Sequence, residues 1–151
     1  MPDAYDIRVA TAPGDLKACF AVRHQVFVVE QKVPAELEYD EHDEPDAKAV
    51  HVLAVGPDGP LGAGRLIPGD AGAGGTGILG RLAVARAARG FGIGVALVRA
   101  IEDEARRLGL SAVELHAQTH ALGFYERLGY VAYGPEYEEA GIAHRSMSCA
   151  L

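Results

Sequence analysis

The chain has 151 residues, of which 49% are hydrophobic and 23% are charged, so the composition excludes a disordered chain and predicts one domain over residues 1–151. The formal net charge of −7 disfavours nucleic acid and anionic membranes as partners, because their phosphates require a basic face. No apolar run approaches the ~20 residues of a membrane-spanning helix.

The N-terminal half predicts a strand, a helix and a hairpin around one long loop. Alternation predicts a strand over Tyr5–Ala12, and apolar residues at three- and four-residue steps predict a helix from Asp15 to Phe27. Residues 31–47 are polar and acidic, contain prolines and show no period, which predicts a loop. Beyond it, Ala49–Val55 and Leu61–Ile67 flank a proline-glycine turn and predict an antiparallel hairpin.

The C-terminal half alternates strands with helices, giving the overall order β-α-β-β-β-α-β-α-β-β. Gly129 follows the last helix and is expected to terminate it in a left-handed conformation. The predicted elements are a glycine-rich connection over Gly69–Gly77, a strand over Ile78–Val84, a helix over Phe91–Leu108, a strand over Ala112–Ala117, a helix over Thr119–Leu128, and strands over Tyr130–Tyr133 and Ile142–Cys149.

The segment Arg89-Gly90-Phe91-Gly92-Ile93-Gly94, between a strand and a helix, carries the clearest functional signal. The first N–H groups of a helix lack internal partners and the helix dipole favours negative charge there. The segment has neither the Gly-x-Gly-x-x-Gly spacing of dinucleotide sites nor the Gly-Lys-Ser/Thr of phosphate-binding loops. We interpret it as the pyrophosphate cradle of a cofactor; a helix entry without a ligand is the alternative.

The cradle resembles the Arg/Gln-x-x-Gly-x-Gly/Ala motif of the GNAT superfamily of acyl-CoA-dependent N-acyltransferases through Arg89, Gly92 and Gly94. Residues 121–130 resemble the superfamily's Ala-x-x-x-Tyr-x-x-x-Gly-Phe segment, and the element order is similar over nearly the whole chain, with the acidic loop in place of a frequent second helix. The resemblance implies an α/β (α+β) fold: a mixed, mostly antiparallel sheet of about six or seven strands, splayed between strands 4 and 5, with helices on both faces.

The resemblance also implies acetyl-CoA as co-substrate. Its pantetheine arm would lie in the splay beside strand 4, and its diphosphate would lie on the cradle. Gln118 replaces the family asparagine that contacts pantetheine. The implied cofactor-binding residues are Leu82, Ala83, Val84, Arg89, Gly90, Phe91, Gly92, Ile93, Gly94 and Gln118.

Acyl transfer to an amine needs a proton acceptor for the amine and a proton donor for the leaving thiolate. Tyr125 matches the position of the family's general acid, and a phenol of pKa ~10 can protonate a thiolate whose thiol has pKa ~8.5. A core tyrosine is the alternative. Glu38 and His116 are the candidate bases, against a solvated acidic loop and a hydrogen-bonded surface histidine.

The N-terminal half is also similar to the acyl-homoserine-lactone synthases, in which matching residues shape an S-adenosylmethionine pocket. The chain contains no tryptophan, unlike that family, and its cradle suits free CoA, so amine acetylation is the preferred hypothesis. A catalytically inactive CoA-binding module is a third hypothesis. The residues assigned to the acceptor side are Arg23, Phe27, Glu30, Asp40, Asp43 and Arg65, with ion pairs from Arg23 and Arg65 to the acidic loop as the alternative.

The expected acceptor is a primary amine on a small, cationic molecule, because the net charge is negative. Cys19 and Cys149 lie in apolar patterns and predict buried thiols in a reducing, cytoplasmic setting. The histidines lack paired ligand spacing, so no metal site is expected. A homodimer through Ile142–Cys149 is a further expectation.

Overall fold

Seven strands form one sheet in a computed structural model that describes residues 4–69 and 75–151. The strands are β1 Asp6–Val9, β2 Val50–Gly56, β3 Gly59–Ile67, β4 Thr76–Val84, β5 Ala112–Gln118, β6 Val131–Glu139 and β7 Ile142–Ala150. Their spatial order is β1-β2-β3-β4-β5-β7-β6. The two C-terminal strands therefore lie at one side of the sheet, with β6 at its edge.

Helical segments connect the strands. The α-helices are α1 Pro13–Arg23, α2 Ala35–Glu38, α3 Ile93–Arg107 and α4 Leu122–Arg127. A π-helical segment, His24–Glu30, extends α1, and short 3-10 turns cover Glu41–Asp43, Arg86–Ala88 and Thr119–Ala121.

The sheet opens between β4 and β5. These strands pair in parallel only from Thr76 opposite Ala112 to Leu79 opposite Leu115, while all other neighbouring strands pair antiparallel. From Gly80 onward β4 pairs only with β3, so the expected splay is confirmed. A bulge accompanies the opening.

At the bulge, two residues of β4 lie opposite one residue of β3. Ala63 pairs with Ala83 and Arg65 with Gly80, which leaves Arg81 and Leu82 opposite Gly64. Arg81 has a φ of 51°, a left-handed conformation that is uncommon outside glycine. The bulge turns the Arg81 side chain towards the acidic segment 38–43.

Helices α1 and α3 cover opposite faces of the sheet. Leu53 packs with Cys19 of α1, whereas its neighbours Val52 and Ala54 pack in the cluster that contains α3. Successive strand residues point to opposite faces, which fixes this assignment. Cys19 is fully buried, and burial raises the pKa of its thiol to about 12.

Several element boundaries differ from the sequence predictions. Residues 31–47 are not a featureless loop, because α2 and the turn Glu41–Asp43 lie within them. Strand β6 continues to Glu139 rather than ending at Tyr133, and Cys149 is only partly buried. Gly129 has the expected positive φ, 102°. Part of the predicted Gly69–Gly77 connection lies outside the described residues.

Candidate active site

A cavity of about 650 Å³ occupies the opening between β4 and β5. It reaches both faces of the sheet, because its walls combine residues from the α1 side, the α4 side and the β6–β7 hairpin. Eight residues assigned to the site from sequence line it: Phe27, Glu38, Asp40, Arg65, Leu82, His116, Gln118 and Tyr125. The splay therefore brings together most of the predicted catalytic and acceptor-side residues.

Tyr125 lines the cavity from the α3 side of the sheet. It belongs to the cluster that contains α3 and is 8% exposed, with its ring edge-on to Phe124 and Tyr130 at 5.0 and 5.9 Å between centroids. Within the described residues its hydroxyl has no hydrogen-bond partner. Burial raises the pKa of the phenol far above its ordinary value, so the hydroxyl stays protonated at neutral pH.

Arg23 ties α1 to the acidic segment from inside the protein. Its Nε donates to Glu38 Oε2 at 2.8 Å, and its two terminal nitrogens donate to Asp43 at 2.7 and 2.8 Å. Burial disfavours the Asp43 carboxylate, but the hydrogen bonds from Arg23 outweigh it, so the Asp43 pKa lies well below its ordinary value. Arg23 and Asp43 do not line the cavity.

Two further arginines complete this charge network. Arg65 contacts Asp40 at 2.8 Å and Asp43 at 3.1 Å, and Arg81 contacts Asp40 at 3.1 Å and Glu38 at 3.3 Å. Three guanidinium groups thus balance three carboxylates. The ion-pair alternative for Arg23 and Arg65 describes the contacts that the structure shows.

Of the three carboxylates in the network, Glu38 has the most capacity left to accept hydrogen bonds. Arg23 and Arg81 both contact its Oε2, while no hydrogen bond from the described residues reaches Oε1. The side chain is 8% exposed and lines the cavity. Oε1 can therefore accept a hydrogen bond from a molecule in the cavity.

The cradle has an open surface where the sequence places glycine. Gly90 and Gly92 have φ of 86° and 81°, and a Cβ added to either would meet no atom within 4 Å. The first helical bond of α3 runs from the Ala96 N–H to Gly92, so no main-chain acceptor in the described part of the chain bonds the N–H groups of the first turn. These features fit a diphosphate lying against the main chain.

Gly94 has a different function from the other two glycines. A Cβ there would lie 3.2 Å from Phe124 Cζ and 3.8 Å from Val84 Cγ2. Its small size lets α3 pack closely on α4 and on the end of β4. Ala83 points towards α1, where it packs with Val22 and Val26, so it could contact a ligand in the splay only through its main chain.

Arg89 is held by the protein itself. Its Nε donates to the Val84 carbonyl at 3.0 Å, and its terminal nitrogens donate to the two Glu30 oxygens at 2.7 Å each. The hydrogen bond from Arg89 lowers the Glu30 pKa to about 2. Glu30, assigned to the acceptor side from sequence, lies beside the cradle.

Gln118 reaches across the opening to the residue that follows the π-helical segment. Its Nε2 donates to Gln31 Oε1 at 2.9 Å, and its Oε1 lies 2.6 Å from His120 Nε2. Glu30 therefore connects the end of the π-helical segment to Arg89 of the cradle, and Gln31 connects it to Gln118 of β5.

His116 lines the cavity but is exposed, with its Nδ1 2.6 Å from the Tyr137 hydroxyl. His144, which the sequence did not distinguish from His51, His116 and His120, is 7% exposed and also lines the cavity. It lies opposite Gln118 in the β5–β7 register. Nothing in the local sequence distinguishes it, because its position depends on the long-range pairing of β7 with β5.

The profile of the acetyltransferase (GNAT) domain matches residues 15–151. The chain belongs to the GNAT acetyltransferase family. The uncharacterised N-acetyltransferase YjcF of Bacillus subtilis (strain 168) is 39% identical over 140 residues, which cover 92% of this chain and 95% of YjcF.

Two solved structures extend this comparison. An acyl-CoA N-acyltransferase from Pseudomonas aeruginosa is 32% identical with a TM-score of 0.79, covering 97% of this chain and 99% of that one. Escherichia coli ElaA is 27% identical with a TM-score of 0.80, covering 97% and 98%. This GNAT protein is accordingly an N-acetyltransferase of EC class 2.3.1, and acyl-CoA-dependent N-acyl transfer is its general reaction.

The described residues also bear on membrane insertion and metal binding. No helix among them is long and apolar enough to cross a membrane. No group of three or more His, Cys, Asp or Glu residues in ranges 4–69 and 75–151 is arranged to hold a metal ion.

Proposed function

We propose that this GNAT enzyme moves an acetyl group from acetyl-CoA directly to a primary amine of a small, cationic acceptor. The observation that carries the proposal is the 650 Å³ cavity at the splay, which is lined by Leu82, Glu38 and Tyr125. The open glycine cradle lies between the end of β4 and the start of α3. An aminoglycoside 6′-N-acetyltransferase whose structure contains coenzyme A shares the fold, with a TM-score of 0.70 at 17% identity.

Coenzyme A would be held by the main chain more than by side chains. The free N–H groups at the start of α3 and the turn glycines would bind the diphosphate. At Leu82 and Val84, β4 pairs with no described strand on the side that faces β5, and this edge would hydrogen-bond the pantetheine arm. When bound, acetyl-CoA supplies an acyl group activated as a thioester.

The two sides of the splay divide the chemistry. Tyr125 lies on the α3 face. His116 alternates with the buried residues Leu115 and Ala117, so it lies on the α1 face. Glu38 lines the cavity and is held there by Arg23 of α1. In this proposal the amine enters from the α1 face, and sulfur departs towards Tyr125.

Tyr125 would stabilise the leaving sulfur. Its raised pKa exceeds that of an ordinary thiol, so the hydroxyl acts first as a hydrogen-bond donor to the developing thiolate. Proton transfer follows as the carbon–sulfur bond breaks. Glu38 Oε1 would accept a hydrogen bond from the acceptor ammonium. This one oxygen would favour a cationic acceptor even though arginines balance the charges of the acidic segment.

Thermal unfolding with separate ligands tests the proposal. Ligand at 100 times its dissociation constant adds about 2.7 kcal/mol to the free energy of unfolding. We expect stabilisation by acetyl-CoA and none by S-adenosylmethionine, followed by thiol release from acetyl-CoA in a panel of primary amines and polyamines.

Two outcomes would favour the other hypotheses. Stabilisation by S-adenosylmethionine alone would support a lactone-synthase-like enzyme. Acetyl-CoA binding without thiol release for any amine would support an inactive CoA-binding module.

We propose that a homodimer would form through β6 rather than through Ile142–Cys149. Strand β7 pairs with β5 on one side and β6 on the other, so its edges are occupied. Strand β6 is the edge strand on that side of the sheet, and its Val131 and Tyr133 are 68% and 44% exposed. Sedimentation equilibrium of the wild type and Val131→Lys would test self-association through β6.

A further inference from the structure

We infer that His144 is the general base that takes the proton from the acceptor amine. The inference rests on the proposed acetyl transfer and deepens it by naming the base. His144 lies on β7, opposite Gln118 of β5, and directly paired residues project on the same face of a sheet. It therefore lines the cavity from the α1 face, opposite Tyr125.

The tautomer of His144 is fixed by its surroundings. Nδ1 lies 2.7 Å from the main-chain carbonyl oxygen of Ile142. A carbonyl can only accept a hydrogen bond, so Nδ1 carries the proton. The neutral imidazole then presents an unprotonated Nε2, which is the state that a general base requires.

Nε2 is available to a molecule in the cavity. No hydrogen bond from the described residues reaches Nε2. Among those residues, the side-chain nitrogens that are fully buried without a partner are His51 Nδ1 and Arg65 Nε, so Nε2 is not closed off from the cavity. The imidazole is 9% exposed through the cavity. This combination of burial and an accessible lone pair is absent from the other cavity histidines.

The groups around His144 suit a ring that gains a proton. Glu139 Oε2 of β6 lies 3.8 Å from Nε2, and the Tyr137 ring of the same strand stacks on the imidazole with 6.0 Å between centroids. His116 of β5 contacts the Tyr137 hydroxyl, and His120 of the following turn contacts Gln118. Glu139 thus places a carboxylate oxygen near Nε2, at a distance longer than a hydrogen bond.

The two sequence-based candidates are less suited to accept this proton. Oε2 of Glu38 is already engaged by two guanidinium groups, which suits the residue to hold the ammonium. Nδ1 of His116 faces a hydroxyl that can donate or accept, so its tautomer is not fixed. Of His116 and His144, only His144 has its Nδ1 on a main-chain carbonyl that assigns the proton.

Acyl transfer removes two protons from the acceptor nitrogen. The acceptor ammonium gives one proton to Nε2, and its nitrogen lone pair forms the bond to the acyl carbon. The carbon–sulfur bond breaks with its electron pair on sulfur, which takes a proton from the Tyr125 hydroxyl. The nitrogen, positively charged once the new bond has formed, loses its second proton through water to the Tyr125 phenolate, and the His144 imidazolium releases its proton to water. An ammonium and a thioester thus become an amide, a thiol and one proton.

Replacement of His144 tests the inference, with His24→Gln as the matched control because His24 is exposed and lies outside the cavity lining. We expect His144→Gln to lower kcat/KM by about 100-fold or more, the usual range for a general base. Stabilisation by acetyl-CoA should match wild type in both variants. Turnover of His144→Gln within threefold of wild type would overturn the inference, as would loss of acetyl-CoA binding, which indicates a structural function.

Two further measurements separate a base from a positioning residue. In His144→Ala, kcat should fall while the KM for the amine stays within threefold of wild type, and added imidazole should restore turnover by at least tenfold. A raised KM with unchanged kcat, or no restoration by imidazole, would overturn the inference. If wild type itself releases no thiol with any amine, the proposed function fails and the base assignment fails with it.

Discussion

Tyr125 combines burial with a hydroxyl that no described residue engages, in the wall of the cavity. Tyr125→Phe removes one oxygen and keeps the ring contacts with Phe124 and Tyr130. We expect acetyl-CoA to stabilise this variant as it does wild type, while kcat falls by about 100-fold. Single-turnover thiol release measures the loss.

Tyr133→Phe is the matched control for this substitution. Tyr133 is exposed on β6 with its hydroxyl on Glu114, outside the cavity lining, so the variant should keep wild-type kcat. Equal turnover of Tyr125→Phe and wild type would show that Tyr125 is a core tyrosine. Ionisation of the Tyr125 phenol would lower kcat as pH rises. A wild-type kcat that already falls for this reason before pH 9 would contradict the raised pKa of Tyr125.

At the scale of elements, the π-helical segment places a carboxylate beside a site proposed for a diphosphate. Glu30→Gln removes that charge, and the amide oxygen can still accept from Arg89. We expect CoA to bind about two- to fivefold tighter at low ionic strength, the size of one partly exposed charge interaction, with the gain shrinking as salt is added. Isothermal titration calorimetry at two salt concentrations measures it.

Glu36→Gln controls for net charge, because Glu36 is an exposed carboxylate of α2 outside the cavity lining. It should leave CoA affinity unchanged. Weaker CoA binding by Glu30→Gln would instead show that the Glu30–Arg89 pair is needed to hold the cradle in shape.

The charge network fixes the acidic segment to α1. Arg23→Met would leave Glu38 and Asp43 without their main partner in the interior, so we expect a loss of about 3–5 kcal/mol in the free energy of unfolding. The control, Arg8→Met, removes a 3.0 Å pair with Asp15 in which Arg8 is 48% exposed, and should cost about 1 kcal/mol or less. Urea denaturation compares them, and equal losses would contradict a buried network.

The sequence predicted the elements whose signals are local. The order of strands and helices follows from hydrophobic periodicity, and the helix after the cradle was placed within two residues of Ile93–Arg107. The helix predicted over Asp15–Phe27 covers the first part of the π-helical segment, but its continuation to Glu30 and α2 were missed, because residues beyond Phe27 show no regular apolar period. Arg23 and Arg81 hold Glu38 of α2 from other elements, and the sequence does not reveal such contacts.

The residues of the candidate site also divide into those with local sequence signals and those placed by long-range contacts. Tyr125 and the cradle glycines belong to short motifs, so sequence could propose them. That Arg89 pairs with Glu30, and that His144 faces the cavity, depends on contacts between residues far apart in the chain. Pairs of this kind are set by tertiary packing, which a single sequence does not reveal.

At the scale of the whole molecule, the depressed carboxylate pKa values link folding to pH. Asp43 and Glu30 have folded-state pKa values below those of the unfolded chain, with Glu30 at about 2. Their contribution is therefore complete above about pH 5, where both states are ionised, and is lost as pH falls towards 2, because the unfolded chain takes up protons first.

Asp43→Asn should flatten this dependence. Linkage limits one proton to about 1.4 kcal/mol per pH unit, and Asp43 is 5% exposed, so wild type should lose stability more steeply than the variant between pH 5 and pH 3. At pH 7 the variant should already be less stable, because Arg23 and Arg65 lose a charged partner. Urea denaturation across this range measures both effects, and parallel pH profiles would mean that Asp43 titrates normally and that the network does not hold its charge.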